Sequence, residues 1–255
     1  MESNLEVLFT PAEFSALDGR DLSQVVCVVF DVLRATSSML TALANGASRI
    51  FPAREIFDAL ELQRAHPGAL LAGERDGVRI LRAQTGGVDF DLGNSPREFT
   101  REQVAGREII MTTTNGTRAL QACRGARRIL AGGFLNLRAL ANFVQEENTA
   151  QLLVICAGTF EEAAYEDTLA AGALCGLVWK QFERGHIADS AQIAGQIYLD
   201  ADGNLEKAMQ YSRNARRLLS NPALCQDVAF CLRCDCLDLS AELRDGAVAV
   251  TNRVR

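Results

Sequence analysis

Short runs of β-branched and aliphatic residues alternate along this chain with longer stretches whose apolar positions recur at helical spacing, and that alternation predicts an α/β architecture. VVCVVF at Val25–Phe30 is apolar throughout, as a strand buried on both faces would be. A helix follows over Ser37–Asn45 and stops at Gly46. The pattern then predicts a strand at Ile50–Pro52, a helix at Ile56–Arg64 and a strand at Ala69–Ala72. It resumes with a strand at Glu108–Met111, a loop at Thr112–Gly116, a helix at Thr117–Cys123 and a strand at Arg128–Ala131. Beyond these come a helix at Leu135–Gln145, a buried strand at Leu152–Cys156 and a long helix at Tyr165–Phe182. Leu205–Leu219 reads as one helix, and the remainder mixes short apolar runs with polar turns.

An internal echo accompanies this pattern. GASRI at Gly46–Ile50 and GARRI at Gly125–Ile129 each follow a strand, a hydroxyl-bearing loop and a helix. Five residues are also what chance likeness between two crossovers yields, so the echo serves only to align the loops. The expectation is a single domain over 1–255, a layered α/β/α fold with a mostly parallel sheet. Two related α/β units packed together, as sub-lobes of about 1–105 and 106–255, are compatible with it.

Composition narrows the function classes. A chain of 255 residues with 48% hydrophobic content buries one sizeable core. No apolar stretch approaches the roughly 20 residues of a membrane span, and Met1–Phe14 lacks the basic-then-apolar order of a secretion signal. A cytoplasmic location is therefore expected, with the eight cysteines reduced. A net charge of -6 without a basic segment excludes a nucleic-acid face. Any anionic ligand has to be held locally, and a homo-oligomer is compatible with everything above.

Chemistry is expected beyond the carboxyl ends of the strands, where ligands of open α/β sheets sit. There the sequence carries Asp31 and VLRATSS, then GER at Gly73–Arg75, then TTTNG at Thr112–Gly116, then Ala157-Gly158 and an acidic run with Glu161, Glu162, Glu166 and Asp167. FDLGNSP at Phe90–Pro96 is a turn by composition. Hydroxyls, glycine amides, arginines and carboxylates together make the inventory for a phosphate oxyanion beside a hard cation such as Mg²⁺. Each item also has a plain structural reading: Thr114, Asn115 and Thr117 as helix caps, Arg34 and Arg75 as ion-pair partners, the acidic run as a solvated helix start. Coincidence at several strand ends favours the functional one. GxxxxGK[ST], GxSxG and HExxH do not occur. Cys156 faces an acidic loop that disfavours a thiolate, and the compressed spacing of Cys225, Cys231, Cys234 and Cys236 lacks the paired knuckles of a zinc ribbon.

In order, DVLRATSS, GER, FDLGNSP, TTTNGTRAL and CAG with a later EDTLAAG resemble the 2-phosphosulfolactate phosphatase family, over about Val25–Gly172 and more loosely into DVAFC. The resemblance implies an Mg²⁺-dependent phosphatase acting on 2-phospho-3-sulfolactate in the route to coenzyme M. Its motif positions fall on Asp31, Arg34, Thr36, Glu74, Arg75, Asn94, Ser95, Thr113, Thr114, Asn115, Gly116, Glu166 and Asp167. The link DGVRILRAQTGGVD and the acids Glu161 and Glu162 depart from the family pattern, which bears on substrate identity.

The resulting expectation is that Asp31, Glu74 and Asp167 hold Mg²⁺, with Glu166 the alternative to Asp167. Arg75 and the Thr113–Gly116 loop would bind phosphate, Thr36, Asn94 and Ser95 would bind substrate or phosphate as well, and Asp31, Arg75 and Asn115 would be catalytic. Arg34 would grip a carboxylate or sulfonate. The nucleophile is either water or Asp31. A non-catalytic sensor of a phosphorylated metabolite, or a phosphatase of another 2-phospho acid, is the alternative.

Overall fold

A computed structural model describes residues 3–201 and 203–251, so the ends of the expected 1–255 domain lie outside the described residues. The chain opens with β1 (Asn4–Leu8) and β2 (Val26–Phe30), from which α1 (Ala35–Ala44) crosses to β3 (Arg49–Ala53). α2 (Ile56–Ala65) leads to the hairpin of β4 (Leu70–Arg75) and β5 (Val78–Arg79), then to two single turns, α3 (Arg82–Thr85) and α4 (Arg101–Val104). A second crossover runs from β6 (Glu108–Thr112) through α5 (Gly116–Ala122) to β7 (Arg128–Gly132). α6 (Leu137–Glu146), β8 (Gln151–Cys156), α7 (Tyr165–Phe182), β9 (His186–Ile187) and α8 (Asp189–Asp200) follow. The C-terminal part packs α9 (Leu205–Ala208), α10 (Arg213–Leu219) and α11 (Cys225–Cys231), and ends in the hairpin of β10 (Ala241–Arg244) and β11 (Ala247–Val250).

All these strands form one 11-stranded sheet in the order β5-β4-β6-β3-β11-β10-β7-β2-β8-β1-β9. Two parallel half-sheets are joined through the C-terminal hairpin, which runs antiparallel to both: Val248 pairs with Ile50 of β3, and Ala241 with Ala131 of β7. β2 sits among strands from later in the chain and β6 among earlier ones, so the two halves of the sequence interleave. The echoed pentapeptides lead into β3 and β7, the two strands that flank the hairpin. Gly46 and Gly125 occupy matching places after α1 and α5, both in the left-handed region at φ 95° and 90°.

The two-residue side-chain period divides the core in three. Val26, Val28 and Phe30 of β2, with Leu152 and Val154 of β8, face α6, α7 and α8. Phe51, Leu71 and Ile110 face α2. The opposite faces of both half-sheets meet in one cluster around α1 and α5, with Cys27, Val29, Ile50, Ile109 and Ile155 packed against Met39, Leu40 and Leu120. α1 is therefore buried nearly all round. Its hydroxyls are absorbed locally, Ser37 donating to Val32 O (2.8 Å), Thr41 to Ser37 O (2.7 Å) and Ser38 to Asn94 O (2.8 Å).

Several elements differ from the sequence expectation, among them the unanticipated helix α8 (Asp189–Asp200). β1 is an added parallel strand between β8 and β9, in a segment with too few residues to show a clear period. Leu205–Leu219 is not one helix, because Ser212 caps a new one by accepting from Ala215 N at 2.9 Å while donating to Glu166 at 2.7 Å. The tail folds into α11 and the final hairpin. No helix among the described residues is long and apolar enough to cross a membrane, and all eight cysteines are free thiols.

Candidate active site

The loops after β2, β4 and β6 converge although β2 and β6 are separated in the sheet by β3, β11, β10 and β7. A flat sheet would hold them roughly 24 Å apart. Curling around α1 and α5 brings the first turns of these helices together, so that a Cβ built on Gly116 would lie 2.7 Å from Asp31 Oδ2 and 2.6 Å from Ala35 Cβ. Beside this contact is a polar cavity of about 70 Å³, lined among others by Asp31, Arg34, Glu74, Asn94, Asn115 and Arg217.

Asp31 is buried at the start of α1. Its Oδ1 accepts from Ala35 N at 3.1 Å, its backbone N–H donates to Thr36 Oγ1 at 3.0 Å, and Oδ2 is left facing Gly116. Burial pushes its carboxyl up to about 7; the charges of Glu74 and Glu166 add to the rise, against the Ala35 hydrogen bond and the Arg34 charge. Asp167 is held well above the usual carboxylate range, first by burial and then by the charges of Glu166 and Asp31. The acids predicted from sequence are thus one electrostatic group.

Of these four acids, however, only Asp31 has an oxygen without a donor among the described residues. Asp167 accepts from Val32 N (2.8 Å) and Gly158 N (3.1 Å), clamping the loop after β2 to the loop after β8. Glu74 accepts from Thr114 N (2.9 Å), Thr114 Oγ1 (3.0 Å) and Gly77 N (2.6 Å). Glu166 accepts from Ser212 Oγ and Asn214 Nδ2, each at 2.7 Å. Among the described residues no three His, Cys, Asp or Glu side chains form a group that could cage a metal ion, which holds for the C-terminal cysteines as well. The donor chemistry nonetheless fits a hard, largely hydrated cation: Mg²⁺ is commonly held by one or two carboxylates, its own waters and substrate phosphate oxygens. The buried Asn94 Oδ1, which has no hydrogen-bond partner among the described residues, adds a neutral oxygen on the cavity wall.

The remaining sequence candidates divide between cavity and scaffold. Arg34 lines the cavity, with Nη1 on Asp227 Oδ2 at 2.8 Å and Nη2 on Gly77 O at 3.0 Å. Thr114 and Asn115 also line it, but both Thr114 donors are taken by Glu74. Thr113 and Thr117 cap each other: Thr117 N donates to Thr113 Oγ1 at 3.3 Å and Thr117 Oγ1 to Thr113 O at 3.0 Å. Thr36 is fully buried and donates to Gly132 O at 2.6 Å, and Ser95 donates to Asp227 Oδ1 at 2.7 Å. Arg75 does not line the cavity. Neighbours in a strand point to opposite faces, so with Glu74 turned inward Arg75 turns outward, to Thr112 Oγ1 (3.1 Å) and Glu55 (3.6 Å).

Sequence reasoning also left out residues that matter here. Arg217, Asn214 and Thr159 line the cavity. Asp227, fully buried, accepts from Arg34, Ser95 and Arg97 Nε (2.8 Å). Asp227 opens DVAFC, the loosest part of the motif series. Cys156 is fully buried at the end of β8, and burial pushes its thiol well above the usual range, which disfavours a thiolate there.

A family model described as 2-phosphosulpholactate phosphatase matches residues 12–246, which covers every cavity residue named above. The chain is 36% identical to a protein of Caldanaerobacter subterraneus subsp. tengcongensis over 94% of its own length and 97% of that protein's. It is 37% identical to one of Thermotoga maritima over 80% and 82%, and 32% identical to one of Carboxydothermus hydrogenoformans over 96% of both. All three bear the name probable 2-phosphosulfolactate phosphatase.

Proposed function

This chain belongs to the 2-phosphosulfolactate phosphatase family, and from that premise we propose that it hydrolyses the phosphate monoester of a 2-hydroxy acid with Mg²⁺, converting 2-phospho-3-sulfolactate to 3-sulfolactate and phosphate. The observation that carries the reading is the free oxygen of Asp31, buried among Glu74, Glu166 and Asp167 and opening on a cavity that also bears arginines.

Asp31 is the residue that would hold Mg²⁺, within the field of the Glu74 and Glu166 carboxylates. Bound there, the ion would draw charge from the phosphoryl oxygens, the largest contribution to phosphoryl transfer. The chain's own part is positioning. Asp167 fixes the Val32 backbone next to Asp31, Glu74 fixes Thr114 beside the start of α5, and Asp227 holds Arg34 at the cavity wall. Gly116 lets the start of α5 close onto α1, since a Cβ there would fall 2.6 Å from Ala35 Cβ and 2.7 Å from Asp31 Oδ2, and Asn115 lines the cavity beside this contact.

The test is phosphate release from a panel of 2-phospho acids with and without Mg²⁺. Metal-dependent release from 2-phospho-3-sulfolactate is expected. No metal-dependent release from any member overturns the reading in favour of a sensor that binds without hydrolysing. Trapping labelled phosphate on Asp31 separates an aspartyl-phosphate route from direct attack by water.

A further inference from the structure

Glu74 pairs with Arg79 and Arg75 with Val78, leaving Asp76-Gly77 as a two-residue hairpin turn with φ of 55° and 77°. Both values are positive, as a primed turn requires. Two guanidinium groups from distant parts of the chain converge on this turn. A Cβ on Gly77 would stand 3.5 Å from Arg217 Nη2 and 3.9 Å from Arg34 Nη2. Like charges gathered this closely are unfavourable unless something negative offsets them.

The two arginines differ in what offsets them. Arg34 is paired with the buried Asp227. Around the cavity, Arg97, Arg118 and Arg213 likewise hold Asp227, Glu161 and Glu162. Arg217 lines the cavity, donates to the backbone oxygen of Asp76, and has no carboxylate partner among the described residues. Asp31 lies at one side of the cavity, while at the Gly77 turn, beside Glu74 and Asp76, Arg217 contributes a guanidinium that forms no ion pair among the described residues.

We infer that Arg217 is a specificity residue: it takes the second anionic group of the substrate, the sulfonate or carboxylate remote from the phosphate, so that α10 selects acidic phosphate esters over neutral ones. This rests on the hydrolase reading above. A guanidinium forks onto sulfonate or carboxylate oxygens through two N–H groups, and Arg217 lines the cavity wall at the Gly77 turn, away from the free oxygen of Asp31 against Gly116.

The test compares kcat/KM for 2-phospho-3-sulfolactate, 2-phospholactate and isopropyl phosphate, the last having no second anion. Arg217→Gln is expected to lower the preference for the two acidic esters over the neutral one by on the order of 30-fold, mostly through KM. Arg217→Lys should restore part of that preference. Arg216→Gln, on an exposed neighbour outside the cavity, should leave it intact. An equal loss on all three esters, or no loss, overturns the assignment. If the unaltered protein hydrolyses none of them, it is the hydrolase reading that fails. Calorimetric titration with 3-sulfolactate then decides Arg217 separately: weaker binding by Arg217→Gln supports it, and unchanged affinity removes it.

Discussion

Gly116 and Asp31 touch in the sense that matters for a side chain: a Cβ on Gly116 would sit 2.7 Å from Asp31 Oδ2, far inside van der Waals contact. Gly116→Ala should therefore destabilise the protein by about 1–3 kcal/mol and abolish phosphate release. Gly176, inside α7 with nothing within 4 Å of its Cβ position, is the comparison. Gly176→Ala should be neutral or stabilising by up to about 1 kcal/mol. Thermal unfolding of the two variants checks the contrast.

Asp31→Asn should reduce turnover by on the order of 1,000-fold while leaving the metal-free protein as stable as before or more so. The amide keeps an oxygen for Ala35 N–H but carries no charge against Glu74 and Glu166. Function and stability then move in opposite directions, as at sites that hold unfavourable charge for a purpose. A clear fall in melting temperature with activity retained would falsify the assignment of Asp31.

Asp227→Ala leaves Arg34, itself 4% exposed, without its counter-charge and strips Ser95 and Arg97 of an acceptor. The expected loss is about 3–5 kcal/mol, the usual outcome of breaking a buried ion pair from one side. Asp227→Asn, which keeps acceptor capacity, should lose less. Urea unfolding measures both.

Glu74→Gln keeps the shape but turns an amide N–H₂ toward a donor, either Gly77 N–H or the Thr114 pair. One of these loses its partner at a cost of about 1–3 kcal/mol. Hydrogen exchange should quicken at the amide of Gly77 or Thr114 while the β2 amides stay protected.

Much of this was legible in the chain. β2 and β8 are continuous apolar runs, and α7 is long, so each declares itself locally. The loops carrying Asp31, Glu74 and Asn115 were legible because they sit where strands hand over to turns or helices. Arg75 faces away from the cavity, because proximity in sequence to Glu74 says nothing about which face a strand residue takes. Arg217 was hidden for a different reason: its role depends on α10 reaching the Asp76-Gly77 turn, a contact between residues far apart in sequence. The two Asp-Gly turns, 76–77 and 245–246, are local hairpin signals with positive φ at both positions. The place of the second hairpin in the sheet is not local, since its partners are Ile50 and residues 130–131.

That placement governs how the molecule is made. During synthesis β3 and β7 each have one neighbour, β6 and β2, and each shows the ribosome's surroundings a bare row of amides and carbonyls until residues 241–250 emerge. The hairpin of residues 241–250 is the keystone of the sheet, so a chain cut short before Ala241 would expose two sticky seams and aggregate through them instead of losing a dispensable tail.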